Sequence, residues 1–119
     1  MKQQDNLIET IIDSIKDKKG NNIVCADLTE IEGSSVQNFV ICSAKSTTQV
    51  TAIADNIREE TQNALMIKPF GYDGYQNSQW IVIDYGYIYV HVFLQETREY
   101  YKLEQLWNDA KLVQIPNED

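Results

Sequence analysis

Residues 80–107 read WIVIDYGYIYVHVFLQETREYYKLEQLW, and the alternation within them decides the fold. Residues 79–84 and 87–93 are rich in β-branched and aromatic side chains, with Tyr85-Gly86 between them. Gly86 supplies the positive φ that a two-residue hairpin connection requires, although Tyr85 is not the usual Asn or Asp partner. That loop pairs Asp84 with Tyr87, Ile83 with Ile88, Val82 with Tyr89, Ile81 with Val90 and Trp80 with His91. Successive side chains on a strand point to opposite sides, so these pairs sort onto two faces. One face, Ile81, Ile83, Ile88, Val90 and Val92, is aliphatic and reads as core. The other carries Trp80, Val82, Asp84, Tyr87, Tyr89, His91 and Phe93. It is aromatic with polar tips, and it must lie under a helix or meet a partner.

The same stretch holds the only histidine, both tryptophans and five of the seven tyrosines. A core needs apolar residues but not this many amphipathic aromatics interleaved with charge. That mixture is what a recognition surface is made from. His91 divides evenly between an interface role and a structural one on a half-buried face.

Trp80, Asp84, Gly86, Val90-His91-Val92-Phe93, Arg98, Tyr100-Tyr101, Leu103-Glu104 and Leu106-Trp107 together form a pattern that resembles the bacterial ribosomal silencing factors, the Iojap family. Asp27-Leu28, Phe39-Val40-Ile41 and Asp73-Gly74 extend the likeness, which spans about residues 5 to 107. The resemblance implies a five-stranded mixed sheet flanked by helices and related to nucleotidyltransferases. It implies a non-enzymatic repressor of translation that binds the large ribosomal subunit through ribosomal protein number fourteen and sterically blocks joining of the small subunit. A part in large-subunit maturation, and so in ribosome biogenesis, is also implied. A small self-associating domain whose aromatic face makes a homodimer when free is a third reading. In the repressor role Trp80, Tyr89 and His91 form the aromatic centre of the interface. Asp84, Glu96 and Glu104 meet Arg or Lys on the partner, and Tyr101 extends the face. Two departures stand out: Asn38 and Tyr87 occupy positions where the family commonly has Asp.

The chain has 119 residues, enough for one core, and is expected to form one domain over residues 1–107 with a flexible tail at 108–119. Its 18 acidic and 10 basic side chains leave a net charge of −8. That balance repels phosphate backbones, which argues against direct nucleic-acid binding driven by counterion release, and suits a basic partner. Acidity that simply keeps a small domain soluble is the plainer alternative. No apolar run approaches the roughly 20 residues that span a bilayer, and no signal-peptide pattern opens the chain, so it reads as cytoplasmic with no membrane contact. Cys25 and Cys42 lack metal-ligand spacing and read as buried small hydrophobes.

Leu7, Ile8, Ile11, Ile12 and Ile15 predict a helix over residues 4–18 that Gly20 closes. Residues 23–28 and 36–42 read as two antiparallel strands, joined by a turn at 29–35 too short for a crossover. Ser46 and Gln49 form a Ser-x-x-Gln capping box opening a second helix, with Val50, Ile53, Ala54, Ile57, Thr61 and Ala64 on one side. Residues 65–68 are a candidate short strand, and 69–78 the longest loop, where Asp73 adds negative charge. A helix over 95–101 and a last turn through Leu103 to Trp107 follow the hairpin. Leu103, Leu106 and Trp107 read as anchors to the sheet, and Arg98 with Glu104 as an intramolecular pair.

Catalysis fares poorly on this inventory. Gly33-Ser34 could supply a nucleotidyltransferase turn, which keeps a nucleotide-binding protein or enzyme as the alternative function. The strand that should carry the metal-binding acids, Phe39-Val40-Ile41-Cys42, has none, and Asp84 alone does not make a two-metal site. One histidine cannot build a metal centre or a relay, and no Gly-rich phosphate loop is present. No cofactor or metal is expected.

Overall fold

The computed structural model describes residues 2–28, 36–102 and 111–116, with side chains described from residue 6 onward. Among the described residues, three helices, α1 (Lys2–Asp17), α2 (Thr47–Leu65) and α3 (Gln95–Tyr101), accompany six strands. These are β1 (Asn21–Asp27), β2 (Asn38–Ala44), β3 (Gly71–Asp73), β4 (Trp80–Asp84), β5 (Ile88–Leu94) and β6 (Lys111–Gln114). They form one mixed sheet ordered β3-β4-β5-β2-β1-β6, in which only the central β2–β5 pair is parallel. The α/β class expected from the sequence holds, with six strands in place of five.

The sixth strand lies where a loose tail was expected. Its backbone pairs antiparallel with β1 from Asp27↔Lys111 to Val24↔Gln114, although all four of its side chains are exposed. The candidate strand at 65–68 does not form. Met66 instead takes a left-handed conformation and closes α2, its N–H bonding the Gln62 carbonyl, and the edge strand β3 falls inside the stretch read as a loop.

Alternation along β4 and β5 builds the core as expected. Ile81, Ile83, Ile88, Val90 and Val92 are all buried, against Val40, Cys42 and Ala44 of β2. Leu7, Ile11 and Ile15 from α1 and Val50, Ile53, Ala54 and Ile57 from α2 close over them. Each buried Val, Leu or Ile among them contributes about 1.5–3 kcal/mol of apolar transfer, so this layer carries much of the folding free energy. Ala64 is exposed, one turn beyond the buried stripe. At the end of α1 the left-handed residue is Lys19, not Gly20; a Cβ on Gly20 would instead collide with the Ile15 Cγ2 methyl.

Ser46 caps α2, its hydroxyl accepting from the Gln49 N–H at 3.2 Å. Gln49 departs from the reciprocal box. Its Oε1 accepts from the Lys45 N–H, and its Nε2 donates to the carbonyls of Lys18 and Lys19 at the end of α1. The cap therefore also ties the two helices together. Ser46→Ala is expected to cost about 1 kcal/mol, read as a lower urea midpoint with an unchanged m-value.

The hairpin register differs from the expected one. Trp80 faces Phe93, Ile81 faces Val92, Val82 faces His91, Ile83 faces Val90 and Asp84 faces Tyr89. The Tyr85 N–H donates to the Ile88 carbonyl, so the two turn residues are Gly86 and Tyr87 rather than Tyr85 and Gly86. Gly86 has φ +91°, which suits the hairpin class that needs positive φ only at its first turn residue. Tyr85 is thereby freed to turn into the core, where its hydroxyl shares a 2.8 Å hydrogen bond with Thr61 of α2. The slip moves each partner by two residues. Because strand periodicity is also two, every side chain keeps its expected face.

Candidate docking face

The second face of the sheet is built from odd-numbered residues of β2 and β5 and even-numbered residues of β4. Phe39, Ile41 and Ser43 of β2 lie beside Tyr89, His91 and Phe93 of β5 in parallel register. Trp80, Val82 and Asp84 of β4 continue the layer outward. Helix α3 covers one end of it. Arg98, buried, reaches across to donate from Nη1 to the Asn22 carbonyl at 2.5 Å and to the Ser43 hydroxyl at 3.3 Å.

That placement divides the face in two. Phe93 is fully buried and Ile41, Ala26 and Leu28 nearly so, while Trp80, Val82, Asp84 and Tyr89 remain half-buried. The Trp80 indole stacks on Phe93 at 4.9 Å between centroids and lies 5.0 Å from the Tyr101 ring of α3, which is exposed. Trp80, Tyr101 and Tyr89 thus present rings outward from a buried aromatic floor.

His91 belongs to that floor and not to the surface, being only 6% exposed. Its Nδ1 accepts the Trp80 Nε1–H at 3.1 Å, and Phe39 meets the ring edge-on at 5.0 Å. The neutral imidazole therefore carries its proton on Nε2, for which the described residues offer no partner. Burial pushes its pKa down to about 4. In the free chain His91 therefore lies beneath Trp80 rather than at the surface where the sequence reading set it. Alternation shows which face a residue takes, not how deep that face lies.

Asp84 also has work inside the chain. Its Oδ1 accepts the Gly86 N–H at 2.7 Å, fixing the turn, and its Oδ2 accepts the Tyr89 hydroxyl at 3.3 Å. The adjacent carboxylate pushes the Tyr89 phenol pKa up. Each carboxylate oxygen has a second lone pair, so Asp84 can still accept from an incoming cation. Asp73 pairs with Val82, which puts it on this same face, and it is exposed. Glu96 is exposed in the first turn of α3. Glu104, its expected pairing with Arg98, and the anchors Leu103, Leu106 and Trp107 lie outside the described residues, as does the Gly33-Ser34 turn.

Sequence reasoning missed Phe39 as a member of this region, and Phe70 beside the hairpin turn. Phe39 was legible in principle, since β2 alternates Phe39, Ile41 and Ser43, but only once β2 is known to neighbour β5. Phe70 sat in an apparent loop. Its ring packs against Gly86, within 2.9 Å of where a Cβ would be, and is itself 84% exposed.

Among the described residues no group of three His, Cys, Asp or Glu side chains could hold a metal, and no helix is long and apolar enough to cross a membrane. One face of the sheet is sealed by two helices, and the other is half-open and aromatic, with acidic side chains at its edge. Comparison with known proteins identifies the family. The family model described as ribosomal silencing factor during starvation matches residues 1–119. The ribosomal silencing factor of Haemophilus influenzae is 37% identical over 101 residues, covering 85% of this chain and 97% of that protein. That of Bacillus subtilis is 33% identical over 115 residues, covering 94% and 93%. A crystal structure of a Bacillus halodurans protein superposes with a TM-score of 0.80 at 32% identity, covering 93% of this chain and 99% of that one. The chain belongs to the ribosomal silencing factor family.

Proposed function

We propose that this chain silences ribosomes by docking on the large subunit and occupying space that the small subunit needs. The partner is ribosomal protein number fourteen of the large subunit, and the contact is made by the half-open face around Trp80, Tyr89, Tyr101 and Asp84. Family membership supports a ribosome-associated regulatory role rather than an enzymatic one. The observation that carries the docking surface is the outward layer of rings over a buried floor, on a chain of net charge −8. Rigid aromatic groups with polar tips give affinity at low entropic cost, and the acidic surround selects and steers a basic partner. Free copies pairing through the same face would compete with docking, and a factor bound to free large subunits in the cytoplasm is also placed to act during their maturation.

The test is a sucrose gradient of purified protein with separated subunits. Comigration with large subunits, together with fewer joined ribosomes, is the expected result. Migration with small subunits, or undiminished joining at saturating protein, overturns the proposal.

A further inference from the structure

Two large side chains exposed beyond half their surface stand at the hairpin turn and on the segment leading into β3. Phe70 is 84% exposed and Tyr87 63%. The Phe70 backbone is fixed by its N–H bonding the Asp84 carbonyl at 2.8 Å, and its ring lies against Gly86. Gly86 in turn donates to Asp84, and Asp84 accepts from Tyr89. Contacts therefore run without a break from Phe70 through Asp84 and Tyr89 to Phe39, His91, Trp80 and Tyr101. The corner is joined to the half-open face by these contacts, and its two rings are exposed.

We propose that the corner formed by Phe70, Gly86 and Tyr87 receives an arginine side chain of the basic protein partner, laid against the rings with its head toward Asp84. This extends the docking face described above and rests on that reading. Two observations and one general principle favour a guanidinium over an apolar occupant. The carboxylate beneath the corner keeps free lone pairs on both oxygens, with the Asp73 carboxylate on the same face. The chain already makes this contact once with its own residues, Arg58 lying 3.7 Å over the Tyr72 ring on the other side of the sheet. A planar cation can stack on a ring and pair with an acid at once, which an aliphatic side chain cannot.

The test compares wild type with Phe70→Ala, Tyr87→Ala and Tyr87→Phe for binding to purified large subunits, with thermal melting of each free protein as the control for folding. Phe70→Ala and Tyr87→Ala are expected to weaken binding about tenfold with unchanged melting, and Tyr87→Phe to bind like wild type because the ring remains. If wild type binds and both alanine variants bind equally well, the arginine-receiving corner is overturned while the docking face stands. If Tyr87→Phe binds as weakly as Tyr87→Ala, the hydroxyl and not the ring makes the contact, and the stacking proposal is overturned. If wild type itself fails to bind, the docking reading falls and this inference falls with it.

Discussion

Lowering the pH from 7 to 4 is expected to remove about 3 kcal/mol of folding stability through one residue, His91. Its imidazole is buried, and its Nδ1 is occupied as the acceptor of the Trp80 N–H. Desolvation holds its pKa at about 4, against an ordinary value of 6.5. The unfolded chain takes up a proton as the pH falls through 6.5, whereas the folded chain refuses it until about 4. The stabilising difference is therefore complete above 6.5, declines across that window and levels off below it. The carboxylates also titrate near its lower end, so wild type alone does not isolate the effect. His91→Gln keeps an acceptor for the indole and cannot titrate. Urea unfolding of both proteins at pH 7.5, 5.5 and 4.5 should show the wild type losing stability relative to the variant as the pH falls. A gap between them that does not change with pH would show that His91 is accessible to protons when folded.

The same residue marks where sequence reading stops. Period-two alternation assigned the residues from Trp80 to Asp84 and from Ile88 to Phe93 to their correct faces, because burial on one side forces that pattern. It did so despite a misplaced turn: taking Gly86 as the second turn residue shifted every pairing by two, a slip to which alternation is blind. Depth was not legible. His91 and Tyr89 alternate identically, but Tyr89 stays half-buried and His91 does not. The end of the face that α3 covers is set by Arg98 bonding a carbonyl 76 residues earlier in the chain. No local pattern encodes a contact of that span. Strand β6 escaped for a different reason: its side chains are all exposed, so it carries no burial pattern and is held by backbone pairing to β1. Strand β3, three residues on the opposite edge, offered too short a run to read.

Trp80→Ala is expected to weaken binding to large subunits about thirtyfold or more, corresponding to about 2 kcal/mol. The indole is half-buried between the Phe93 floor and the Tyr101 ring, with its N–H already engaged by His91. A partner covering it removes the remaining apolar surface from water without having to order the side chain first, which is why pre-fixed aromatic anchors dominate interfaces. Glu96 offers the contrast. It is an exposed carboxylate on the first turn of α3, and a rim charge of that kind contributes about 0–1 kcal/mol and acts mainly on the association rate. Glu96→Ala is therefore expected to stay within about threefold of wild type. Truncating Trp80 also opens the floor of the face, so the comparison requires that the folded fraction of each variant be matched by circular dichroism. Trp80→Phe separates the two effects further. It keeps a ring over Phe93 but leaves the His91 acceptor without its donor, so it should melt earlier than wild type yet retain most of the binding that Trp80→Ala loses. Equal losses for Trp80→Ala and Glu96→Ala would mean that charge, and not the aromatic layer, holds the complex together.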